Sequence, residues 1–340
     1  MIKLTTINMK LYRHRKYITL LLSISFGILS SYSQEMQDSV VNSSTSMPER
    51  IDTNQGDSTL YFIESDQVVI PPLFEYIVAP DDLPDLQSRT DYLMDNFWSP
   101  FDFKKNKYVD QNALNHAFDT YVHAMPFASE KKVKESVKNL IKNLKGNPGL
   151  SLQFTKAAEQ TLYGPHADFW ADDIYISFLQ NLIDNKKIDS SKKKRYIDQL
   201  DLLKRTAVGS VMPEVNLTTT EGTLTKLRAP KEFRIIEFTY PSCEDCHYSN
   251  VKLDISGIIN DLIEDGRLEV IVVTMDYPVK ENYFPQKWIS LSSDNAKDIL
   301  DIRVYPCFYI VDKDNKIVAK NLSVDTAIEY LEVLSKEKKK

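Results

Sequence analysis

Two cysteines carry the most pointed chemical signal in this sequence. Cys243 and Cys246 are separated by Glu244 and Asp245 and followed by His247. Side chains three residues apart on a helix share a face, so such a pair can close and reopen a disulfide. Where the first cysteine opens the helix, the unpaired N–H groups and positive dipole end stabilise its thiolate. The second sulfur, one turn along, is then placed to resolve a mixed disulfide. A third cysteine, Cys307, follows Tyr305-Pro306 and opens an apolar run. It reads as a small buried hydrophobe, the functional alternative being a third thiol that shuffles disulfides. Three cysteines are too few for a disulfide scaffold and suit one reactive pair and one odd residue.

The elements around the pair read as strand, tight turn, helix. Ile235, Ile236 and Phe238 form a short apolar run, predicting a strand over 234–240, and Tyr240-Pro241-Ser242 punctuates it. Beyond the cysteines, Val251, Leu253, Ile255, Ile258, Ile259 and Leu262 recur at roughly helical spacing, predicting one continuous helix. Glu237 is the single carboxylate inside the strand run. Held away from water it has a raised pKa and can accept a proton; on an edge strand it simply faces solvent.

The rest of 210–336 reads as α/β. Met212 to Leu217 predicts a short strand start, and Leu268 to Thr274 a buried parallel strand. Residues 275–303 predict a long connection with a helix near 294–302. Strands follow from Cys307 and from Ile317, across the turn Asp312–Lys316, and Ser323 is the expected N-cap of a last helix. From Leu83 to 207 the pattern is all helical, with helices predicted over 84–98, 110–124, 129–144, 149–163, 170–185 and 189–206. Breaks are expected at Pro100, Pro126, Asn147-Pro148-Gly149 and Gly164-Pro165. The apolar stripes of these helices predict core. His116, His123 and His166 are scattered and form no metal-ligand motif.

Residues 1–33 have the pattern of a secretory signal: Lys3, Lys10, Arg13, Arg15 and Lys16, then an apolar stretch from Tyr17 to Leu29, then Ser31-Tyr32-Ser33. The apolar stretch is short for an uncleaved membrane anchor, the alternative. Residues 34–82 read as a disordered tether and an extended lead-in. The expected location is therefore periplasmic, with no membrane span in the mature chain. Removing the signal leaves 37 basic against 48 acidic residues, a net charge of −11. That balance argues against nucleic acid or anionic membrane surfaces as partners.

Four features make residues 210–336 resemble the thioredoxin-like proteins of the TlpA and AhpC/TSA grouping. These are Met212-Pro213 before a strand, the Cys243–Cys246 pair after a strand, Tyr305-Pro306 before a strand, and the closing hairpin and helix. The resemblance implies a central mixed sheet flanked by helices and a cis proline at Pro306 facing the cysteine pair. It also implies a proton-moving acid at Glu237, six residues before Cys243. Ser242 departs from the tryptophan usual there, Glu244-Asp245 from the common Gly-Pro type of pair, and a cysteine follows the proline. The Pro-x-x-x-Thr-x-x-Cys pattern of a peroxidase is missing. The helical part, through Tyr92–Phe103 and Ala158–Pro165, resembles a domain of unknown function that precedes thioredoxin-like domains in exported bacterial proteins.

The expected activity is thiol–disulfide exchange, acting as a reductant on a protein or small-molecule disulfide. Cys243 is the nucleophile, Cys246 the resolving thiol and Glu237 the proton acceptor; Tyr305 and Pro306 dock the substrate. An upstream electron donor is required, and no cofactor or metal. The alternative is a redox-inactive thioredoxin fold that binds partners. Cys243 to His247 also satisfies the c-type haem attachment pattern, whereas one CxxC without a second ligand pair is too little for structural zinc.

Overall fold

The computed structural model describes residues 70–105, 107–168, 170–276 and 283–337. The expected export signal (1–33) and most of the tether and lead-in (34–69) lie outside the described residues. Six helices expected from periodicity are present: α1 (Leu86–Asn96), α2 (Gln111–Ala124), α3 (Glu130–Leu144), α4 (Pro148–Leu162), α5 (Asp172–Asp184) and α6 (Ser190–Arg205). Five of the six starts, all but that of α5, are set by side-chain caps. Asp85, Asp110, Ser129, Asn147 and Asp189 each accept a backbone N–H of the first turn, and losing such a cap costs about 1 kcal/mol. The expected break at Asn147-Pro148-Gly149 separates α3 from α4, which starts at Pro148, one residue before its predicted start. Proline is tolerated at the first helical position because its missing N–H would be unpaired there anyway.

The apolar stripes of these helices meet in one core built around Leu114, Phe118, Tyr121, Phe154, Phe178 and Leu182. The end of the lead-in docks on it. Phe74 stands edge-on to Phe97 and Trp98, and the Tyr76 hydroxyl bonds His116 Nδ1 at 3.0 Å.

The chain then enters a mixed sheet. In chain order come β1 (Leu217–Thr218), β2 (Leu224–Thr225), β3 (Phe233–Thr239), α7 (Glu244–Asp254), α8 (Gly257–Glu264), β4 (Leu268–Met275), β5 (Ile289–Ser293), α9 (Ala296–Ile299), β6 (Cys307–Asp312), β7 (Ile317–Leu322) and α10 (Val324–Glu337). The spatial order is β2-β1-β5-β4-β3-β6-β7, with β3 parallel to β4, β4 parallel to β5, and β6 antiparallel to both β3 and β7. One face of the sheet carries Ile235, Val272, Phe308 and Ile310 against Leu253, Ile259 and Leu331 of the helices. The other carries Ile236, Phe238, Val273, Cys307 and Tyr309, with Met212 and Leu300. The Ser323 hydroxyl accepts the Thr326 N–H at 3.3 Å, the contact of the expected cap.

Three expectations are corrected. The helix beyond the cysteines is two helices, because the chain turns at Ile255-Ser256 and restarts at Gly257. The restart rotates the apolar pattern, so that Ile255 is 73% exposed while Leu253, Ile259 and Leu262 are buried. The connection 275–303 contains β5, whose Ile-Ser-Leu-Ser-Ser composition lacks a continuous apolar run, and the helix expected over 294–302 shrinks to α9. The strand expected from Met212 begins only at Leu217, and Val211 makes a single bridge to Lys316. The segment before it follows the hairpin of β6 and β7: Gly209 donates to Ile317 O at 2.7 Å and Met212 to Asn315 O at 2.8 Å. Gly209 sits at φ +93°, where a side chain is strained.

Candidate functional site

The cysteine pair sits where β3 hands the chain to α7. Cys243 is the N-cap residue of α7 with an extended backbone (φ −92°, ψ 110°), and its sulfur accepts the Cys246 N–H at 3.1 Å. Cys243 and Cys246 are joined in a disulfide. Their exposure differs: Cys243 is half-buried, whereas Cys246 is 2% exposed. An attacking thiolate at the first position would meet both the free amide end of the helix and its positive dipole end. Pro241, Ser242, Glu244, His247 and Tyr283 line the cleft in front of Cys243.

Glu237 lies on β3 with β4 on one side and β6 on the other, paired in register with Val272 and Phe308. The edge-strand alternative is thereby excluded. Strand alternation puts its side chain on the face of Ile235 and Val272, the face that packs Leu253 of the cysteine helix. Glu237 is 1% exposed, and neither carboxylate oxygen has a hydrogen-bond partner. Burial alone therefore drives its pKa well above the ordinary carboxylate range.

The Tyr305–Pro306 peptide bond is cis. Phe238 pairs with Cys307 across β3 and β6, so Pro306 stands beside the end of β3, where the chain leaves for the cysteines. The Tyr305 ring lies 6.0 Å from that of Tyr240, whose carbonyl accepts the Cys243 N–H at 3.1 Å. The fold thus brings Cys243, Cys246, Glu237, Tyr305 and Pro306 to one end of the sheet.

Cys307 is set apart from this group. It faces the opposite side of the sheet from α7, is 1% exposed, and its sulfur donates to Asn321 Oδ1 at 3.1 Å. Burial pushes its thiol up to about 12, so it stays protonated at neutral pH. Its surroundings are those of a small packed hydrophobe.

Sequence reasoning passed over what holds the loop before Pro306. Asp301 is buried and takes Arg303 Nε and Nη2 at 3.0 and 2.7 Å, Lys320 Nζ at 2.6 Å and Asn321 Nδ2 at 3.1 Å. Arg303 and Lys320 also reach Asp172 of α5, at 2.5 and 3.0 Å. The Asp301–Arg303 spacing beside Tyr-Pro was a visible hint. No local pattern announces Asp172, 131 residues away. Among the described residues no group of three or more His, Cys, Asp or Glu could hold a metal ion, and no helix is long and apolar enough to cross a membrane.

A family model described as a domain of unknown function (DUF5106) matches residues 30–206. No curated protein matches. A thioredoxin-like protein from Bacteroides caccae ATCC 43185 superposes with a TM-score of 0.64 at 20% identity, covering 78% of this chain and 99% of that one. Such coverage exceeds what either the helices or the sheet could supply alone, so the two-part fold is shared. The thioredoxin domain of a thiol-disulfide oxidoreductase from Bacteroides vulgatus aligns at 22% identity over 38% of this chain and 97% of its own, TM-score 0.31. A thiol:disulfide interchange protein from Bacteroides sp. aligns at 25% identity over 37% and 88%, TM-score 0.30. The fold from β1 onward is thioredoxin-like, behind a helical region.

Proposed function

We propose that this chain, which belongs to the DUF5106 family, is an exported thiol–disulfide oxidoreductase working as a reductant in the periplasm. The observation that carries the reading is the asymmetry of the pair: a half-exposed cysteine capping a helix, bonded to a buried one a turn along, with a partnerless buried carboxyl on the same sheet face.

In the reduced protein the Cys243 thiolate attacks one sulfur of a substrate disulfide. The new bond joins Cys243 to that sulfur, and the other substrate sulfur leaves as a thiolate. Cys246 then gives its proton to Glu237 in its ionised form, which burial makes strongly basic, and the Cys246 thiolate attacks Cys243 Sγ. The second substrate thiol leaves, and the Cys243–Cys246 disulfide holds the two electrons' worth of oxidation. An external dithiol donor returns the pair to its reduced form. Tyr305 and Pro306 dock the substrate backbone beside Cys243. Export rests on the signal pattern of residues 1–33.

The test is reduction of insulin by the mature chain with dithiothreitol as donor, together with brief iodoacetamide labelling of the reduced protein. Catalysed insulin reduction and preferential labelling of Cys243 are expected. A Cys246→Ser variant should accumulate mixed disulfides through Cys243 in its native host. Absence of catalysis would return the chain to a binding role, and preferential labelling of Cys246 would reverse the two cysteine assignments.

A further inference from the structure

The segment that delivers Pro306 has no regular structure between α9 and β6, so side chains must hold it. On one side it is tied to β7 through Asp301, which takes Lys320 and Asn321. On the other it is tied to the helical half. The Arg303 side chain is 3% exposed and donates to Asp172 Oδ1 at 2.5 Å in the first turn of α5. Its guanidinium lies 4.4 Å from the centre of the Tyr163 ring and 5.2 Å from that of Trp170. Trp170 is itself fixed by donating to Gly164 O at 2.9 Å, and Tyr163 by stacking on Tyr175 at 5.0 Å. A planar guanidinium gripped by a carboxylate and two aromatic faces has little freedom. Arg303 is two residues from Tyr305, whose ring meets Tyr240 beside the cysteines. The helical half therefore grips the docking loop through Arg303.

We propose that Asp172, Tyr163 and Trp170 of the helical half are positioning residues that set the substrate-docking loop through Arg303. They govern how well a polypeptide disulfide is bound, while the chemistry of the cysteine pair is independent of them. The inference rests on the oxidoreductase reading above. Docking of an extended backbone against Tyr305 and Pro306 is sensitive to displacements on the order of 1 Å. A small aromatic disulfide needs no such backbone docking and should be indifferent to the loop.

The experiment compares the full mature chain with its Asp172→Asn, Asp172→Glu and Trp170→Leu variants. Insulin and the small disulfide dithionitrobenzoate are the substrates, and the Cys243–Cys246 equilibrium with glutathione is measured alongside. For Asp172→Asn the KM for insulin should rise about tenfold with kcat little changed, the mark of lost binding rather than lost chemistry. Turnover of dithionitrobenzoate and the glutathione equilibrium should stay at wild-type values, and Asp172→Glu should recover most of the loss. Trp170→Leu strands no buried charge and should raise the KM about threefold. It decides the matter should Asp172→Asn fail to fold. An unchanged insulin KM in the folded variants, or equal losses on both substrates, overturns the proposal while leaving the oxidoreductase reading standing. A wild type inactive on both substrates defeats that reading, and the proposal with it.

Discussion

Glu237 is the residue at which chemistry and stability are most directly opposed. Its carboxyl is buried in a central strand with no hydrogen-bond partner, and burial raises its pKa well above the ordinary range. In the unfolded chain it ionises above about pH 4.3. Between that pH and its folded pKa the native state binds the extra proton, so stability falls as pH rises through the window. The slope is about 1.4 kcal/mol per pH unit for one proton. Glu237→Gln, which cannot ionise, should therefore match wild type near pH 4 and become the more stable protein as pH rises through that window. Thermal melts across that range measure the difference, and a gap that stays constant with pH would show that Glu237 is ionised when folded. The same variant should slow resolution of the mixed disulfide while leaving the first attack intact, which stopped-flow thiol release can separate. Cys307 offers the contrasting case. Facing away from α7 and bonded to Asn321, it should be dispensable for turnover, and Cys307→Ala should lower stability by about 1–2 kcal/mol through a small cavity and a stranded Asn321 oxygen. Loss of insulin reduction in a folded Cys307→Ala protein would restore the shuffling-thiol alternative.

At the scale of elements, the first turn of α7 sets two carboxylates beside Cys243. Glu244 and Asp245 occupy that turn, where negative charge suits the helix dipole but opposes a thiolate on the adjacent Cys243. A less stabilised thiolate means a less stabilised dithiol, hence a more reducing pair. Replacing both with Gln and Asn should raise the potential, with about 30 mV corresponding to each tenfold change in the equilibrium with glutathione. Both side chains are exposed, so the shift should shrink as salt approaches ~1 M. Equal potentials at low salt, or a more reducing variant, count against the argument. Elements were legible in the sequence where the signal was local. Helices α1 to α6 follow from apolar periodicity, bounded in all but α5 by Asp, Ser or Asn caps, and β3, β4 and β6 from short apolar runs. The cysteine pair, Glu237 and Tyr305-Pro306 were legible for the same reason, since each is marked within a few residues. What was not legible depended on tertiary partners. The split at Ile255-Ser256 was hidden because the apolar spacing from Val251 to Leu262 would also suit one helix, and β5 is a strand only because β4 and β1 flank it.

At the scale of the molecule, two separately cored halves share a buried ionic cluster. The helical core and the two faces of the sheet are distinct sets of side chains. Between them Asp172 and Asp301 meet Arg303 and Lys320, two acids and two bases that balance. Asp301 is desolvated, which by itself would raise its pKa, but Lys320 and Arg303 overcome burial and hold its carboxyl down at about 2. The unfolded carboxyl ionises near pH 3.9. A depressed folded pKa contributes stability that is present above the unfolded value and is lost as pH falls towards the folded one. Wild type should therefore lose this contribution between about pH 4 and pH 2. Asp301→Asn leaves Arg303 and Lys320 with Asp172 alone and an excess buried positive charge. At neutral pH that should cost about 3–5 kcal/mol, the range for breaking a buried ion pair from one side. The cost should diminish on acidification, because wild type surrenders the same interaction while the variant has none to lose. Unfolding by urea at pH 7, 4 and 3, followed by circular dichroism, gives the difference at each pH. A gap that fails to narrow below pH 4 would mean that the cluster contributes packing rather than charge to the junction of the two halves.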